Sequence, residues 1–417
     1  MSRRRAYAIV AAVCALPRLL VLALERGDIL ASFTEKSDDF ARTFVESGTY
    51  GFIPGEPSAY TQPLYGFFLV PFYALDGRNW VVVGLAQIAL AAATALLVYE
   101  IGRRLLSRRA ALAAAVISTL NPYLVWHDVH INREIVDQLL AAALVLTTLL
   151  VAERPTLRRG ALLGALSGLA ILGNSRLTLL PLVLLAFLAW RLRDRRRLAS
   201  IAAGLVVAAV AVTAPWVVRN RVEVGCFALT TDARALWKAN NVLTDDTLAV
   251  GKWIDEVPRL PGSPLTPEDA GAIYRQSGEV VHLDECAQMR FYQGLVTKFW
   301  REYPGEKAGL AVRSAAMLWD PRVTTTEGSP GAGTWLDSVR SWPSGIAFAL
   351  LFAAAALGLR RADRAFATLA VALLAYQTLF AMLFVGATRY RAPWDFLLVL
   401  LAVPALAALA PLIRRRC

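Results

Sequence analysis

Runs of about 20 apolar residues recur along the whole chain, and this length crosses a bilayer hydrocarbon core of about 30 Å. Hydrophobic residues make up 57% of the 417 positions, and charged residues only 18%. Backbone polar groups in lipid must be satisfied within the segment that carries them, so such runs form helices. The sequence therefore predicts an all-α polytopic membrane protein.

The Lys and Arg residues stand in short clusters between the apolar runs. The formal net charge of +12 would suggest nucleic acid in a soluble protein. Clusters placed in this way instead indicate how the chain is oriented in the membrane, because cytoplasmic loops are enriched in Lys and Arg. We expect no nucleic-acid partner. The clusters lie at 2–5, 103–109, 154–159, 191–197, 360–364 and 414–416.

Assigning every basic cluster to the cytoplasm predicts a multi-pass protein of the plasma or inner membrane with both termini inside. The apolar stretches 63–75 and 308–319 are then expected to lie in the outer interface, because counting either as a span would put a basic cluster outside. About ten spans are predicted: 6–24, 80–100, 110–126, 134–152, 160–174, 176–190, 198–217, 343–358, 365–386 and 392–413. The first is expected to be an uncleaved helix.

Polar sequence collects on the predicted outer face. We expect an N-terminal transmembrane core at 1–217 that includes a first outer loop at 25–79, an outer segment or lid at 218–342, and C-terminal helices at 343–417. Cys226 and Cys286 both fall in the outer segment. The sequence leaves two alternatives for them, a disulfide and two free thiols.

Five stretches in chain order resemble one superfamily. The stretch ARTFVESGTYGFIPGEPSAYTQPLYGFFLVPFYAL is similar to the first outer loop and interfacial helix of the GT-C glycosyltransferases. This superfamily includes protein O-mannosyltransferases and the bacterial transferases that add aminoarabinose to lipid A. The other four are LNPYLVWHDVHINREIVDQLL, GLAILGNSRLTLLPL, APWVVRNRVEVGCFALTTDARALWKANN and TRYRAPWDFLL.

The resemblance implies a reaction. A GT-C enzyme of this kind transfers a sugar from a polyprenyl-phosphate donor to an acceptor hydroxyl on the outer face, usually with inversion. Its acceptor is a lipid, a protein or a polysaccharide, and the sequence does not choose among them. We expect no cofactor. Two alternatives remain open: a transporter or flippase of lipid-linked glycans, and a ligase or polymerase that joins whole glycans.

Attack on an anomeric carbon needs a carboxylate that takes the acceptor's proton. By the resemblance, that base lies in the first outer loop, at the start of the helix that ends near Gly48. Asp38 is the favoured candidate, followed by Asp39 and then Glu35. The same acids also suit the first turn of a helix, where they stabilise its dipole.

The second outer loop supplies Glu134, which resembles the family's substrate-positioning acid, beside Arg133, with Asp137 one turn further on. Acids near membrane spans usually face a cavity or a partner. His127, Asp128 and His130 form an H-D-x-H group that could ligate a metal. Since no fourth ligand is visible, a solvated polar loop is the favoured interpretation and we expect no metal.

Arginine side chains suit the leaving phosphate because their planar forks match phosphate oxygens. The pair Arg389 and Arg391, with Tyr390 between them, is the leading candidate for a phosphate clamp, because positive-inside topology does not explain cations on an outer link. Further candidates for substrate binding are Arg176, Arg219, Lys238, Asn240 and Asn241.

Overall fold

The computed structural model describes residues 2–25, 29, 35–322 and 335–414. In these ranges the regular secondary structure is helical, with one isolated β-bridge between Ile53 and Glu56 in a loop. The N-terminal part contains α1 (Arg3–Leu24), α2 (Lys36–Ser47), α3 (Pro63–Asp76), α4 (Trp80–Leu105), α5 (Arg108–Thr119), α6 (Pro122–His127), α7 (Glu134–Glu153), α8 (Leu157–Gly173), α9 (Leu180–Arg191) and α10 (Arg195–Glu223).

The remaining helices form two groups. The outer segment contributes α11 (Ala233–Lys238), α12 (Val242–Ala249), α13 (Pro267–Ser277), α14 (Glu285–Glu302) and α15 (Pro304–Trp319). The C-terminal part contributes α16 (Trp335–Gly358), α17 (Arg364–Leu383), α18 (Thr388–Arg391) and α19 (Asp395–Arg414).

Six of the described helices are long and apolar enough to cross a membrane, and Pro343–Gly358 forms a shorter apolar helix. Nine of the ten predicted spans each fall largely on one helix, as do the two stretches expected at the interface, whereas 110–126 is divided between α5 and α6. The all-α polytopic fold class is therefore confirmed. The count of ten spans stays a prediction, since α5 and α9 have only 12 residues each.

Glycines allow α8 and α10 to pack closely. A Cβ on Gly164 would lie 2.1 Å from the carbonyl oxygen of Leu205, and one on Gly160 would lie 2.7 Å from that of Ile201. Gly168 follows at the same four-residue spacing and faces Ala209. Small residues four apart let helix backbones approach within a membrane, so this face of α8 fixes the position of α10.

Ion pairs join the ends of helices that carry the basic clusters. Arg3 lies 3.0 Å from Glu100 near the C-terminus of α4, and Arg104 lies 2.8 Å from Glu153 at the C-terminus of α7. The N-termini of α4 and α7 therefore share the opposite end of the bundle. The first outer loop, the loops at 120–133 and 174–179 and the link at 384–391 meet at that end.

The outer segment is fastened to the first outer loop and to the end of α10. Glu285 accepts hydrogen bonds from the backbone N–H of Ala59 (3.1 Å) and from the hydroxyl of Thr231 (2.7 Å). Cys226, just after α10, forms a disulfide with Cys286 on α14, which resolves the alternative that the sequence left open. These contacts place the outer segment over the loop end of the bundle.

Candidate active site

Glu35 stands immediately before α2, the helix of the first outer loop. It occupies the N-cap position of α2 but makes no side-chain capping hydrogen bond there. Arg133, Glu134 and Arg389 all lie within electrostatic range of this carboxylate. Burial first, and the charge of Glu134 second, raise the pKa of Glu35 from its ordinary value of 4.5 to about 7, although both arginines oppose the shift.

Two further carboxylates stand at the start of α7, which follows the second outer loop. Glu134 is 5% exposed, and its Oε1 lies 3.8 Å from Nε of Arg389 and 4.0 Å from Nε of Arg133. Among the described residues, neither oxygen of Glu134 has a hydrogen-bond partner. Asp137 accepts a hydrogen bond from Asn174 on one oxygen, and its other oxygen has no partner in the same ranges.

Two arginines meet on one aromatic ring beside these acids. The Cζ atom of Arg176 lies 3.4 Å from the centroid of the Tyr390 ring and 4.3 Å from that of Phe384. Arg389 donates a hydrogen bond to the hydroxyl of Tyr390 at 2.8 Å. Stacked guanidinium groups remain charged and keep N–H donors at their edges. The structure therefore brings Arg176, Arg389 and Tyr390 together with Glu134, as the sequence predicted for substrate binding.

Gln62 connects the first outer loop to two other loops. Its Oε1 accepts a hydrogen bond from Arg133 (2.6 Å), and its Nε2 donates one to Ser175 (3.1 Å). Gln62 is uncharged, and it was not among the residues expected from the sequence to bind substrate. Its role depends on contacts with residues distant in the chain, which no local pattern reveals.

The outer segment adds a second row of charges next to this cluster. Lys238 lies 2.8 Å from Asp255, and Arg389 and Lys36 are within electrostatic range of that carboxylate. Lys36 also lies 2.6 Å from Asp232. Lys238, one of the residues expected to bind substrate, thus lies near the carboxylate cluster, and Lys36 is a further cation that the sequence did not single out.

The structure places the two favoured first-loop aspartates away from this cluster. Asp38 accepts hydrogen bonds from the hydroxyl of Tyr73 (2.6 Å) and from two nitrogens of Arg78 (2.9 and 2.7 Å). Asp39 pairs instead with Arg42 and Arg275. Helix geometry explains the separation, since neighbouring residues of α2 point to different faces.

Arg219 and Arg391, two of the predicted binding residues, make structural contacts elsewhere. Arg219 donates to the carbonyls of Ser58 and Tyr50 and pairs with Glu223 at 2.6 Å. Arg391 is 1% exposed and pairs with Asp395. The structure thus separates Arg391 from its predicted clamp partner Arg389.

The two asparagines serve helix ends. Asn240 donates to the carbonyls of Leu236 and Leu383 and accepts from Trp300. Asn241 is the N-cap of α12 and forms a capping box with Thr244. Both side chains have their hydrogen-bonding groups engaged by protein, which favours the turn-forming interpretation of this pair over sugar binding.

The H-D-x-H group is buried in the bundle. Asp128 lies 2.7 Å from Arg18 of α1 and accepts a hydrogen bond from Gln138 at 2.8 Å. A ring nitrogen of His130 lies 2.8 Å from the carbonyl oxygen of Trp126. Among the described residues no group of three or more His, Cys, Asp or Glu is placed to hold a metal. The loop is thus packed against α1 rather than solvated.

Two solved structures share this architecture. The archaeal oligosaccharyltransferase AglB from Archaeoglobus fulgidus, in complex with an inhibitory peptide and a dolichol-phosphate, matches 98% of this chain with a TM-score of 0.54 and 14% identity. The same organism's oligosaccharyltransferase tethered to an acceptor peptide with the NVT sequon matches 98% with a TM-score of 0.55 and 14% identity. The chain spans about half the length of these proteins, 51% and 50% respectively.

ArnT from Cupriavidus metallidurans, bound to undecaprenyl phosphate, matches the whole chain and 81% of its own length at 17% identity, with a TM-score of 0.47. A search of curated proteins found no match.

The chain shares the fold of these oligosaccharyltransferases and is a multi-pass membrane protein. The all-α membrane fold expected from the resemblance is therefore confirmed. Residues 57–218 match the family described as dolichyl-phosphate-mannose-protein mannosyltransferase. This match covers α3 to α9 and α10 as far as position 218, and it includes Arg133, Glu134 and Arg176.

Proposed function

We propose that this chain is a glycosyltransferase that moves a sugar from a polyprenyl-phosphate donor to an acceptor hydroxyl, with inversion and with Glu35 as general base. The observation that carries the proposal is the position of Glu35, a carboxylate with a pKa of about 7, next to Arg133 and Arg389. A base whose pKa lies near the working pH is favourable for proton transfer.

Glu35 suits this role better than Asp38, which the sequence favoured. Both oxygens of Asp38 already accept hydrogen bonds, from Arg78 and Tyr73. The side chain is also only 3% exposed, so its engaged oxygens leave little access for a substrate hydroxyl. Asp39 pairs with Arg42 and Arg275. The base is thereby assigned to the third of the three acids that the sequence suggested.

The reaction is a single displacement. The acceptor oxygen forms a bond to the anomeric carbon and transfers its proton to Glu35. The bond between that carbon and the phosphate oxygen breaks, and its electron pair leaves with the lipid phosphate. Arg133, Arg176 and Arg389 stabilise the departing charge, since preorganised cations act strongly in a site shielded from water.

Glu134 and Asp137 position the sugar. Their unpartnered oxygens, counted within the described ranges, are buried acceptors that sugar hydroxyls can satisfy. Gln62 holds Arg133 and Ser175 in place around them. The donor class is supported by the dolichol-phosphate that AglB binds.

We assign the site to the outer face of the membrane. The disulfide between Cys226 and Cys286 lies at the same end of the bundle as Glu35, and disulfides persist in oxidising compartments. The basic clusters lie at the opposite end, as the positive-inside rule requires of the cytoplasmic side.

The test is sugar transfer in proteoliposomes that contain the purified chain, a pool of radiolabelled polyprenyl-phosphate sugars and a cell-envelope acceptor extract. The wild type is compared with Glu35→Gln and, as a matched control on the same helix, Asp39→Asn. Transfer that is lost in the first variant and kept in the second supports the proposal. Movement of intact donor across the bilayer without cleavage would show a flippase and refute it.

A further inference from the structure

A cavity of about 620 Å³ lies between α5, α16 and α19. Its lining runs from Pro343 to Ala354 along α16 and from Asp395 to Leu406 along α19. At about 1.5 Å per residue each edge is roughly 16 Å long. This is close to half of the hydrocarbon core, which is about 30 Å thick, so the cavity has the length of one leaflet.

The walls of this groove are apolar and reach the outer surface of the bundle. Ile117, Leu120, Leu350 and Leu406 line it and are also exposed, at 45%, 43%, 66% and 46%. In a membrane-spanning bundle these side chains face lipid. The groove is therefore open from the side to a hydrocarbon chain.

One end of the groove is polar. Ser344 and Asp395 line it there, and each is only 4% exposed. Oδ1 of Asp395 lies 3.1 Å from Arg391. Within the described part of the chain, Oδ2 of Asp395 and the hydroxyl of Ser344 have no hydrogen-bond partner. A buried carboxylate oxygen without a donor is costly, so this end requires an N–H or O–H group from a ligand.

We propose that the groove binds one chain of a membrane phospholipid whose amine headgroup donates hydrogen bonds to Asp395 and Ser344. The polar end carries both signs of charge, because Arg391 pairs with Asp395 and, within the described ranges, Nη2 of Arg391 has no hydrogen-bond partner. A zwitterionic head complements both groups, with its ammonium on the carboxylate and its phosphate on the guanidinium, whereas a polyprenyl phosphate brings an anion and no ammonium donor for Oδ2 of Asp395. A choline headgroup carries the same positive charge but has no N–H donor.

This lipid is distinct from the sugar donor, because a cation proposed to bind the donor lies on the opposite side of α18. Arg389 on α18 faces Glu134 in the proposed site, and Arg391 on α18 pairs with Asp395 at the groove. The bound phospholipid thus occupies the leaflet on the side of the active site and supports the link between α17 and α19.

The binding experiment uses native mass spectrometry of the full chain released from detergent. Phosphatidylethanolamine and phosphatidylcholine with identical acyl chains are added in parallel. We expect the wild type to retain the ethanolamine lipid about tenfold better, the effect of one charge-assisted hydrogen bond. Asp395→Asn is expected to bring the two lipids close to equal retention. Equal retention by the wild type would overturn the proposal.

A second arm tests the location and the source of the lipid. Ala347→Trp fills the groove from an exposed lining position, and Ala349→Trp is its control on the same helix at an exposed position outside the lining. The first variant is expected to lose the ethanolamine lipid and the second to keep it, with matching thermal stability. Retention in Ala347→Trp, or displacement of the lipid by polyprenyl phosphate, would refute this site. Because the readout is binding, the result is independent of sugar transfer.

Discussion

Nε of Arg389 lies 3.8 Å from Oε1 of Glu134, a contact that joins the start of α18 to the start of α7. The contact brings the two ends of the chain into one site, since Glu134 belongs to the N-terminal core and Arg389 to the C-terminal helices. Two residues along the chain, Arg391 faces away and pairs with Asp395. This opposition gives the first test.

Arg389→Gln is expected to lower kcat/KM for sugar transfer by about 10² to 10³, the effect of removing one preorganised donor from a transition state. Its thermal stability should change little, because the side chain is 20% exposed and faces a cluster with other cations. Arg391→Gln is the matched comparison and should destabilise the fold by about 3 kcal/mol, since it leaves Asp395 buried without its partner. Transfer rates and thermal unfolding are measured for both variants. Equal activity losses at equal stability would contradict the assignment of Arg389 to the site and of Arg391 to the fold.

The pH dependence of transfer reports the base. Glu35 must be ionised to accept a proton, and its pKa is raised to about 7 by burial and by Glu134. Activity is therefore expected to rise through pH 7 and to be low at pH 5. Initial rates of kcat/KM between pH 5 and 9 would check this. A profile flat down to pH 5 would point to a base with an ordinary carboxyl pKa.

Glu35 is also expected to reduce the stability of the protein. Because its pKa is higher in the folded state than its ordinary value of 4.5, the folded state binds the proton more tightly, and stability falls as the pH rises from about 4.5 to about 7. Glu35→Gln should thus unfold at a higher temperature than wild type at pH 8 and at about the same temperature at pH 4.5. Unfolding temperatures that are equal at pH 8 would contradict the shift.

Asp38 is predicted to act in stability. Asp38→Asn weakens the contacts with Arg78 and Tyr73, and it should destabilise the fold by about 3 kcal/mol. The control Asp39→Asn affects a partly exposed pair and should change stability by less than about 1 kcal/mol. Thermal unfolding in detergent measures both. A stable Asp38→Asn protein without transfer activity would instead return Asp38 to the role of base.

The disulfide is expected to hold the outer segment over the site. Replacing Cys286 by serine opens a link between positions 60 apart in the sequence and should lower stability by about 2 to 4 kcal/mol. Limited proteolysis should then cut the outer segment faster than in wild type, while the membrane helices resist. Cys14→Ser, at a buried free cysteine, is the comparison, and proteolysis at equal rates would show that the disulfide is dispensable.

The sequence was informative where short-range patterns carry the information. Nine of the ten apolar runs fall largely on one helix, because the length of a run and the capping residues that end it are local properties. Arg176 and Arg389 were expected to bind substrate because guanidinium forks match phosphate oxygens. Glu134, beside Arg133, was expected to do so because of the resemblance and because acids near spans usually face a partner. The structure brings these four residues together.

Short-range patterns did not distinguish residues that have similar neighbours in the sequence. Arg389 and Arg391 have the same surroundings in the sequence, yet a two-residue step on a helix rotates the side chain by about 200°. The three acids of the first loop present the same difficulty. No local pattern marks Gln62 as a binding residue, since its contribution comes from hydrogen bonds with Arg133 and Ser175, which are distant in the chain.

The sequence alone determined the all-α membrane class and most of the helices, because apolar length acts segment by segment. Only the tertiary structure shows which of the first-loop carboxylates are already engaged by other side chains. Tyr73 and Arg78 engage Asp38, and loops from both ends of the chain surround Glu35. Burial and charge at one residue depend on everything packed against it, and that information exists only once the helices have come together.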